Sequence, residues 1–236
     1  MSGVSAGPKT DYIRLMVKLD IISDPICPWC YIGKANLDAA IAQTGVNPFQ
    51  IDWRIFQLNP DMPAEGMDRK QYLETKFGGP DRAREVYSRV EQAAGEAGLE
   101  VHFDKIPRTP NTMDAHRVIR WASTTGHQGA LVQELFERYF EQGQDISDHD
   151  VLLEVAEKVG MERDIVAKLL DGDADRDSLS DEDRTAREMG VTGVPCFIVG
   201  GRYVLQGAQP PEVWAKVINE LVESAKSRSE QPEVTP

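Results

Sequence analysis

Two cysteines, Cys27 and Cys30, lie where an apolar run gives way to a helical pattern. The run over 15–22 predicts a buried strand, and the pattern over 29–43 predicts a helix. A thiolate at the start of a helix is stabilised by the helix dipole and by unpaired backbone N–H groups. Thiols in such positions have pKa values of about 3.5–7.5 instead of about 8.5, so they are nucleophiles at neutral pH. The C-x-x-C spacing puts the second sulfur one helical turn away, within reach of a disulfide bond.

The strand and helix patterns follow one another in an informative order. An alternating segment, 49–56, comes after the first helix, and a connection of that length joins parallel strands in a βαβ unit. Segment 63–189 shows helical patterns, including one over 129–141, and little strand signal beyond a short candidate strand at 100–103. Two short strands, 196–199 and 203–206, then flank a pair of glycines that form a hairpin turn, and a final helix follows. The order predicts an α/β fold, βαβ then ββα, with a large all-helical insertion.

These patterns divide the chain into three kinds of segment. We assign 12–62 and 190–223 to one discontinuous α/β domain and 63–189 to the helical insertion. The two ends, 1–11 and 224–236, lack a periodic apolar face and predict flexible tails.

Composition excludes several classes of function. The 236 residues are 41% hydrophobic, enough for a substantial core, and carry a formal net charge of −13. An acidic chain is a poor ligand for nucleic acid or an anionic membrane, because the phosphate interaction needs a basic surface. The first apolar run is too short for a secretion signal or a membrane span. Three cysteines do not form a disulfide framework, so we expect a cytoplasmic protein.

The cysteine pair has two other interpretations. Buried structural thiols are one, and half of a metal site is the other. A zinc site needs about four ligands, and the chain has no second C-x-x-C and no H-x-x-x-H. Cys196 is a candidate third sulfur, for example in an iron–sulfur site at a dimer interface. Redox chemistry explains the pair best, and we expect neither a metal nor an organic cofactor.

Four stretches of sequence together resemble one family, the cytoplasmic DsbA-like proteins of the FrnE type. That family is related to 2-hydroxychromene-2-carboxylate isomerases and kappa-class glutathione transferases, and the resemblance covers roughly 15–222. It implies a thioredoxin domain with a helical insertion and dithiol–disulfide chemistry. The stretches are SDPICPWCYIGK at 23–34, WRIFQLNPDMP at 53–63, NTMDAHRVIRWA at 111–122 and GVTGVPCFIVGGRYVLQGAQP at 190–210.

The resemblance gives roles to the residues around the pair. It implies that Cys27 attacks, that Cys30 resolves the mixed disulfide, and that Pro28 and Trp29 between them tune the redox poise. It also implies a cis proline just before the third strand of the α/β domain, packed over the two cysteines. Pro195 occupies that position.

Pro28 and Trp29 are also candidates for substrate binding, and residues outside the pair are candidates for the rest of the substrate groove. The backbone of Val194 would pair with an extended substrate in the manner of strand addition. Phe56 and Asn59 follow the second strand, so they should emerge at the carboxyl end of the sheet, with core packing as the alternative. Asn111 and His116 lie in the third matching stretch, and His116 is a candidate for proton exchange beside the cysteines.

The expected partner is a protein or small-molecule disulfide or dithiol. Glutathione is an alternative partner, in an isomerase or transferase that acts on a small aromatic molecule. Relatives with those activities typically carry serine in place of the first cysteine, whereas this chain keeps both. A chaperone-like or metal-binding protein is a further alternative. Related proteins are often dimeric, which makes a homodimer the expectation.

Overall fold

The computed structural model describes residues 16–229. Its four-stranded sheet has the order β2-β1-β5-β6, with β1 and β2 parallel and the remaining pairs antiparallel. This confirms the predicted α/β class. In chain order the elements are β1 (Val17–Ser23), α1 (Pro28–Thr44), β2 (Phe49–Ile55), β3 (Met67–Asp68), α2 (Arg69–Phe77), α3 (Pro80–Glu96), β4 (Arg108–Thr109), α4 (Met113–Thr124), α5 (Gln128–Phe136), α6 (His149–Lys158), α7 (Arg163–Leu170), α8 (Arg176–Glu188), β5 (Cys196–Val199), β6 (Tyr203–Gln206) and α9 (Pro211–Ser229).

The central strand β1 is buried on both faces. Leu19 and Ile21 are fully buried in the main core, and Ile22 lies in a separate apolar cluster. A strand covered on both sides reads as a nearly continuous apolar run, as 15–22 does. The helices α1 and α9 pack together, and the fully buried Trp214 of α9 sets its ring edge-on against Phe197 at 4.8 Å. Because α9 packs against both α1 and the sheet, it positions α1, which begins just after the end of β1.

The insertion is helical, as predicted, except for one short strand pair that the sequence prediction did not include. Strands β3 and β4 form a short antiparallel pair, with Met67 opposite Thr109. Gly66 allows this pairing, because a Cβ there would lie only 2.6 Å from the Thr109 carbonyl oxygen, and its φ is +71°. The strand considered for 100–103 is also absent from the described chain, where Phe103–Lys105 forms a 3₁₀ turn instead.

Two helices end differently from the sequence expectation. The helix predicted to reach Glu141 is α-helical only to Phe136, and a π-helical segment, Glu137–Glu141, continues it. At the other end of the chain α9 runs to Ser229, through residues expected to begin a flexible tail. Local contacts support this last turn, including the Lys226–Glu223 ion pair at 2.8 Å. Residues 1–15, which include the tail predicted over 1–11, and residues 230–236 lie outside the described part.

A buried arginine joins α4 to the end of α7 and the loop that follows. Arg117 has no exposed surface. Its guanidinium donates to the Asp114 carboxylate at 2.8 Å and covers the Trp121 ring at 5.1 Å. It also donates to four backbone carbonyl groups: Ala174 at 2.7 Å, Leu169 and Gly172 at 2.5 Å each, and Leu170 at 3.5 Å. Those carbonyl groups lie at the end of α7 and in the loop after it. The last carbonyl groups of a helix have no N–H partner within the helix, so Arg117 supplies the hydrogen bonds.

Asp114 is the negative centre of this cluster. Burial acts to raise the pKa of its carboxyl group, but hydrogen bonds from Arg117 and His149 and the charge of Arg176 outweigh burial and lower it. Arg176 donates to Asp114 Oδ1 at 2.8 Å. The cluster therefore fixes α4 to α8 as well as to α7.

Candidate active site

Cys27 caps the start of α1. Its backbone is extended, with φ −91° and ψ 112°, and its carbonyl oxygen accepts hydrogen bonds from the N–H groups of Cys30 at 3.0 Å and Tyr31 at 3.3 Å. Pro28, at the first helical position, has no N–H to satisfy. The Cys27 thiol donates to the Val194 carbonyl oxygen at 3.5 Å. The sulfur therefore stands at the positive end of a long helix.

Cys30 is the more enclosed thiol of the pair, with 1% of its surface exposed. Burial raises the pKa of the Cys30 thiol well above its usual value, and the neighbouring Cys27 thiol raises it further. The Ser23 hydroxyl and the backbone N–H of Asp24 act in the opposite direction and favour the thiolate. Both cysteines are free thiols in this structure. The two sulfurs thus sit in different electrostatic surroundings although they are one turn apart.

The Val194–Pro195 peptide bond is cis, as the family resemblance implied. Pro195 packs directly against α1, because a Cβ on Gly33 would lie 3.1 Å from the Pro195 Cγ atom. Its carbonyl oxygen accepts a hydrogen bond from the Gly207 N–H at 2.8 Å. The segment that meets Cys27 is therefore held by α1 on one side and by the end of β6 on the other.

Trp29 is the exposed member of the C-x-x-C segment. Its side chain is 40% exposed, whereas both cysteines that flank it are buried. An exposed indole beside a buried reactive sulfur offers apolar contact area to a partner. This placement fits the substrate-binding role predicted for Trp29.

Phe56 does not line an open groove. Its ring is 2% exposed and packs in the cluster of Ile22 and Cys196. The Arg187 guanidinium lies 4.0 Å from the ring centre. The structure therefore favours the packing alternative for Phe56 over the predicted place in the substrate cleft.

The two asparagines are used mainly within the fold. Asn111 donates from Nδ2 to the Met62 carbonyl oxygen at 2.6 Å, and its Oδ1 accepts from the Met113 N–H at 2.9 Å. The Asn59 Oδ1 accepts from the Tyr72 hydroxyl at 3.3 Å. The buried Asn59 Nδ2 has no hydrogen-bond partner in the described part of the chain. Asn111 therefore fixes the start of α4, and contact with substrate is not needed to explain it.

His116 lies deeper in the site than a groove residue would. It is 3% exposed, and its Nε2 lies 3.8 Å from Oδ1 of Asp24, a carboxylate with no exposed surface. Sequence reasoning missed Asp24. The available signal was an acidic residue between a buried strand and Cys27, in a segment that is otherwise apolar.

Comparison with known proteins places this site in a family. The model of the family described as "DSBA-like thioredoxin domain" matches residues 18–219 of this chain. The chain belongs to that family. YwbO of Bacillus subtilis, an uncharacterised protein, is 26% identical over 210 residues, which are 87% of this chain and 98% of that protein. The similarity between the two sequences therefore extends over most of this chain and nearly all of YwbO.

Solved structures show the same architecture. A probable DsbA oxidoreductase from Streptomyces coelicolor is 26% identical, with 93% of each chain covered and a TM-score of 0.76. The cytosolic disulfide reductase DsbM from Pseudomonas aeruginosa is 19% identical, covers 88% of this chain and 99% of its own, and has a TM-score of 0.64. The chain therefore has the DsbA-like thioredoxin fold with a helical insertion.

The third cysteine of this DsbA-like chain lies apart from the pair. Cys196 is 1% exposed and packs with Ile22 and Phe56, and burial raises the pKa of its thiol. Between residues 16 and 229, no three metal-binding side chains lie close enough together to hold a metal ion. The same part of the chain contains no helix long and apolar enough to cross a membrane.

The contact between Gly33 and Pro195 gives a testable prediction. Gly33→Ala should destabilise the DsbA-like domain by about 1–3 kcal/mol, because the new methyl group would crowd Pro195 and the Phe197 ring. Gly95→Ala is the matched control, since that helical glycine faces open space and should gain about 0.5–1 kcal/mol. Urea unfolding measures both. Equal gains in the two variants would show that α1 is free to shift away from Pro195.

Proposed function

We propose that this protein is a thiol–disulfide oxidoreductase that uses Cys27 as nucleophile and Cys30 as resolving thiol. The Cys27 thiolate attacks one sulfur of a substrate disulfide and expels the other as a thiolate, which leaves a mixed disulfide. Cys30 then loses its proton and attacks the Cys27 sulfur, and the second substrate thiolate leaves. The substrate gains the two electrons that the cysteines lose, and the reverse sequence oxidises a dithiol.

The asymmetry of the two thiols carries the proposal. Cys27 is the N-cap residue of a long helix, at the positive end of the helix dipole. Cys30 is enclosed, and burial holds its pKa high. This asymmetry supports first attack by Cys27 and resolution by the more enclosed Cys30, once the mixed disulfide is in place.

The substrate is proposed to be a protein or small-molecule disulfide or dithiol. The exposed Trp29 and the backbone of Val194, half-buried beside Cys27, are suited to an extended peptide. Glutathione is the alternative, and a DsbM structure has been solved with it. A homodimer acting in the cytoplasm completes the proposal, and the cytosolic location named for DsbM supports the compartment.

Redox titration of the purified protein is the direct test. In buffers of reduced and oxidised glutathione, with free thiols trapped and counted by mass, Cys27 and Cys30 should convert together between dithiol and disulfide at one defined potential. A stable glutathione adduct on Cys27, or a pair that stays reduced throughout, would contradict the proposal. The glutathione-dependent isomerase or transferase would then take its place.

Replacement of the resolving thiol separates these two functions. Cys30→Ser should trap the mixed disulfide on Cys27 and stop turnover of disulfides, because no second thiol releases the substrate. Mass spectrometry of the acid-quenched reaction shows the adduct. Full activity in Cys30→Ser would favour isomerisation or transfer, since neither reaction needs a resolving thiol.

A further inference from the structure

A buried carboxylate and a buried imidazole lie together behind the two cysteines. Asp24 accepts hydrogen bonds from the N–H groups of Leu58 at 2.7 Å and Ile26 at 3.3 Å. His116 presents Nε2 to Asp24 Oδ1 at 3.8 Å, too far for a hydrogen bond. In the part of the chain described, this Nε2 has no hydrogen-bond partner, although His116 is 97% buried. An unpaired buried nitrogen is costly, so its position beside Asp24 calls for an explanation.

The imidazole faces the same space as the residue beside Cys30. Ser23 and His116 line one small cavity, together with Pro25. The Ser23 hydroxyl is close enough to the Cys30 thiol to favour its ionised form. Ser23 therefore shares a cavity with His116 and also acts on the resolving thiol.

In the resolving step, the proton of the Cys30 thiol must move to another group. Cys30 is enclosed, and its thiol must become a thiolate before it attacks the mixed disulfide. The nearest carboxylate, Asp24, already accepts two backbone hydrogen bonds. Imidazole is the side chain suited to accept a proton near neutral pH, and a neighbouring carboxylate stabilises the imidazolium that results.

We propose that His116, held by Asp24, accepts the Cys30 proton through the Ser23 hydroxyl during the resolving step. Ser23 passes its proton to His116 Nε2 and takes the proton of Cys30. The Cys27–Cys30 bond forms, the bond from Cys27 to the substrate sulfur breaks, and the substrate leaves as a thiolate. His116 does not touch the reacting sulfurs and is a positioning residue for the proton. The inference rests on the proposed oxidoreductase function.

Among the charged groups around His116, the Asp24 carboxylate is the one that can balance the positive charge of a protonated imidazole. Arg54 lines the cavity but is bound to Glu182 at 2.9 Å, and the cavity residues from α5 are uncharged. The titratable and charged groups near His116 are Asp24 and the Cys30 thiol, Arg54 from β2, Tyr139 of the π-helical segment beside Asp24, and, one turn along α4, Arg120 paired with Glu182 of α8.

Single-turnover kinetics across pH test the inference. Reduced protein is mixed with a fluorescent disulfide, quenched with acid and analysed by mass, so that mixed-disulfide formation and its resolution are timed separately. His116→Gln should slow resolution about 10²-fold at pH 7 and leave formation unchanged. The variant's resolution rate should then rise about tenfold per pH unit and approach the wild-type rate in alkaline buffer, where Cys30 ionises without help.

Two further variants make the result decisive. His127→Gln is the matched control, because that histidine pairs with Thr125 at the start of α5 and should leave both rates and the pH profile unchanged. Ser23→Ala should reproduce the pH profile of His116→Gln, and it tests the route even if His116→Gln does not fold. A wild-type pH profile for resolution in His116→Gln or in Ser23→Ala would overturn the inference. Absence of both a Cys27 adduct and a Cys27–Cys30 disulfide after the wild type reacts with the disulfide would instead overturn the proposed function.

Discussion

Cys27→Ser is expected to abolish disulfide exchange, with a loss of at least about 10³-fold in the rate of disulfide reduction. The serine hydroxyl would occupy the same position at the start of α1 but would remain protonated at neutral pH, so the helix dipole would have no anion to stabilise. The rate of thiol release from a small disulfide, measured under excess substrate, gives the size of the loss.

Cys196→Ala is the matched control for that experiment. Cys196 is a buried thiol on the other side of β1, with Ile22 and Phe56 as neighbours. Its removal should leave the exchange rate within about twofold, because an inert buried cysteine contributes packing only. Substantial exchange activity in Cys27→Ser would mean that another group carries the reaction, and the proposed function would have to be abandoned.

The sequence predicted what depends on local pattern. The apolar run and the C-x-x-C spacing located β1, the start of α1 and both thiols, because dipole, cap and periodicity act within a few residues. The hairpin of β5 and β6 followed from the adjacent glycines Gly200 and Gly201 in the same way.

The features that escaped prediction depend on residues far apart in the chain. The Asp24–His116 pair joins the loop before α1 to the insertion, and no periodicity brings these positions together. The short sheet of β3 and β4 depends on the close approach of Gly66 to Thr109. Phe56 was placed by its position after β2, but the Arg187 side chain from α8 covers its ring and closes that surface.

Arg117→Met should destabilise the protein by about 3–5 kcal/mol, the largest loss expected from one substitution in the insertion. Methionine fills most of the volume, but it cannot donate to the carbonyl groups at the end of α7 or to Asp114. Unpaired buried carbonyls and a half-buried carboxylate without one of its partners both raise the free energy of the folded state. The midpoint and slope of urea unfolding measure the loss.

Two further variants show whether the hydrogen-bond network of Arg117 or its positive charge alone accounts for the loss of stability. Arg163→Met removes an arginine that is 39% exposed and pairs loosely with Glu157 at 3.6 Å, so it should cost less than about 1 kcal/mol. Arg117→Lys keeps the charge but lacks the planar fork that reaches several carbonyls at once, so its loss should fall between the two. A loss below about 1 kcal/mol for Arg117→Met would show that the carbonyls find other partners.

The acid limb of the stability curve gives an independent check on the same cluster. The pKa of the folded Asp114 carboxyl is lowered, so its stabilising contribution is present above its unfolded value and is lost as pH falls through the folded one. Arg117→Met removes one source of that lowering. The difference in stability between wild type and variant should therefore shrink on acidification, because protonated Asp114 no longer depends on Arg117. A difference that stayed constant down to the acid limb would assign the loss to the carbonyl contacts alone.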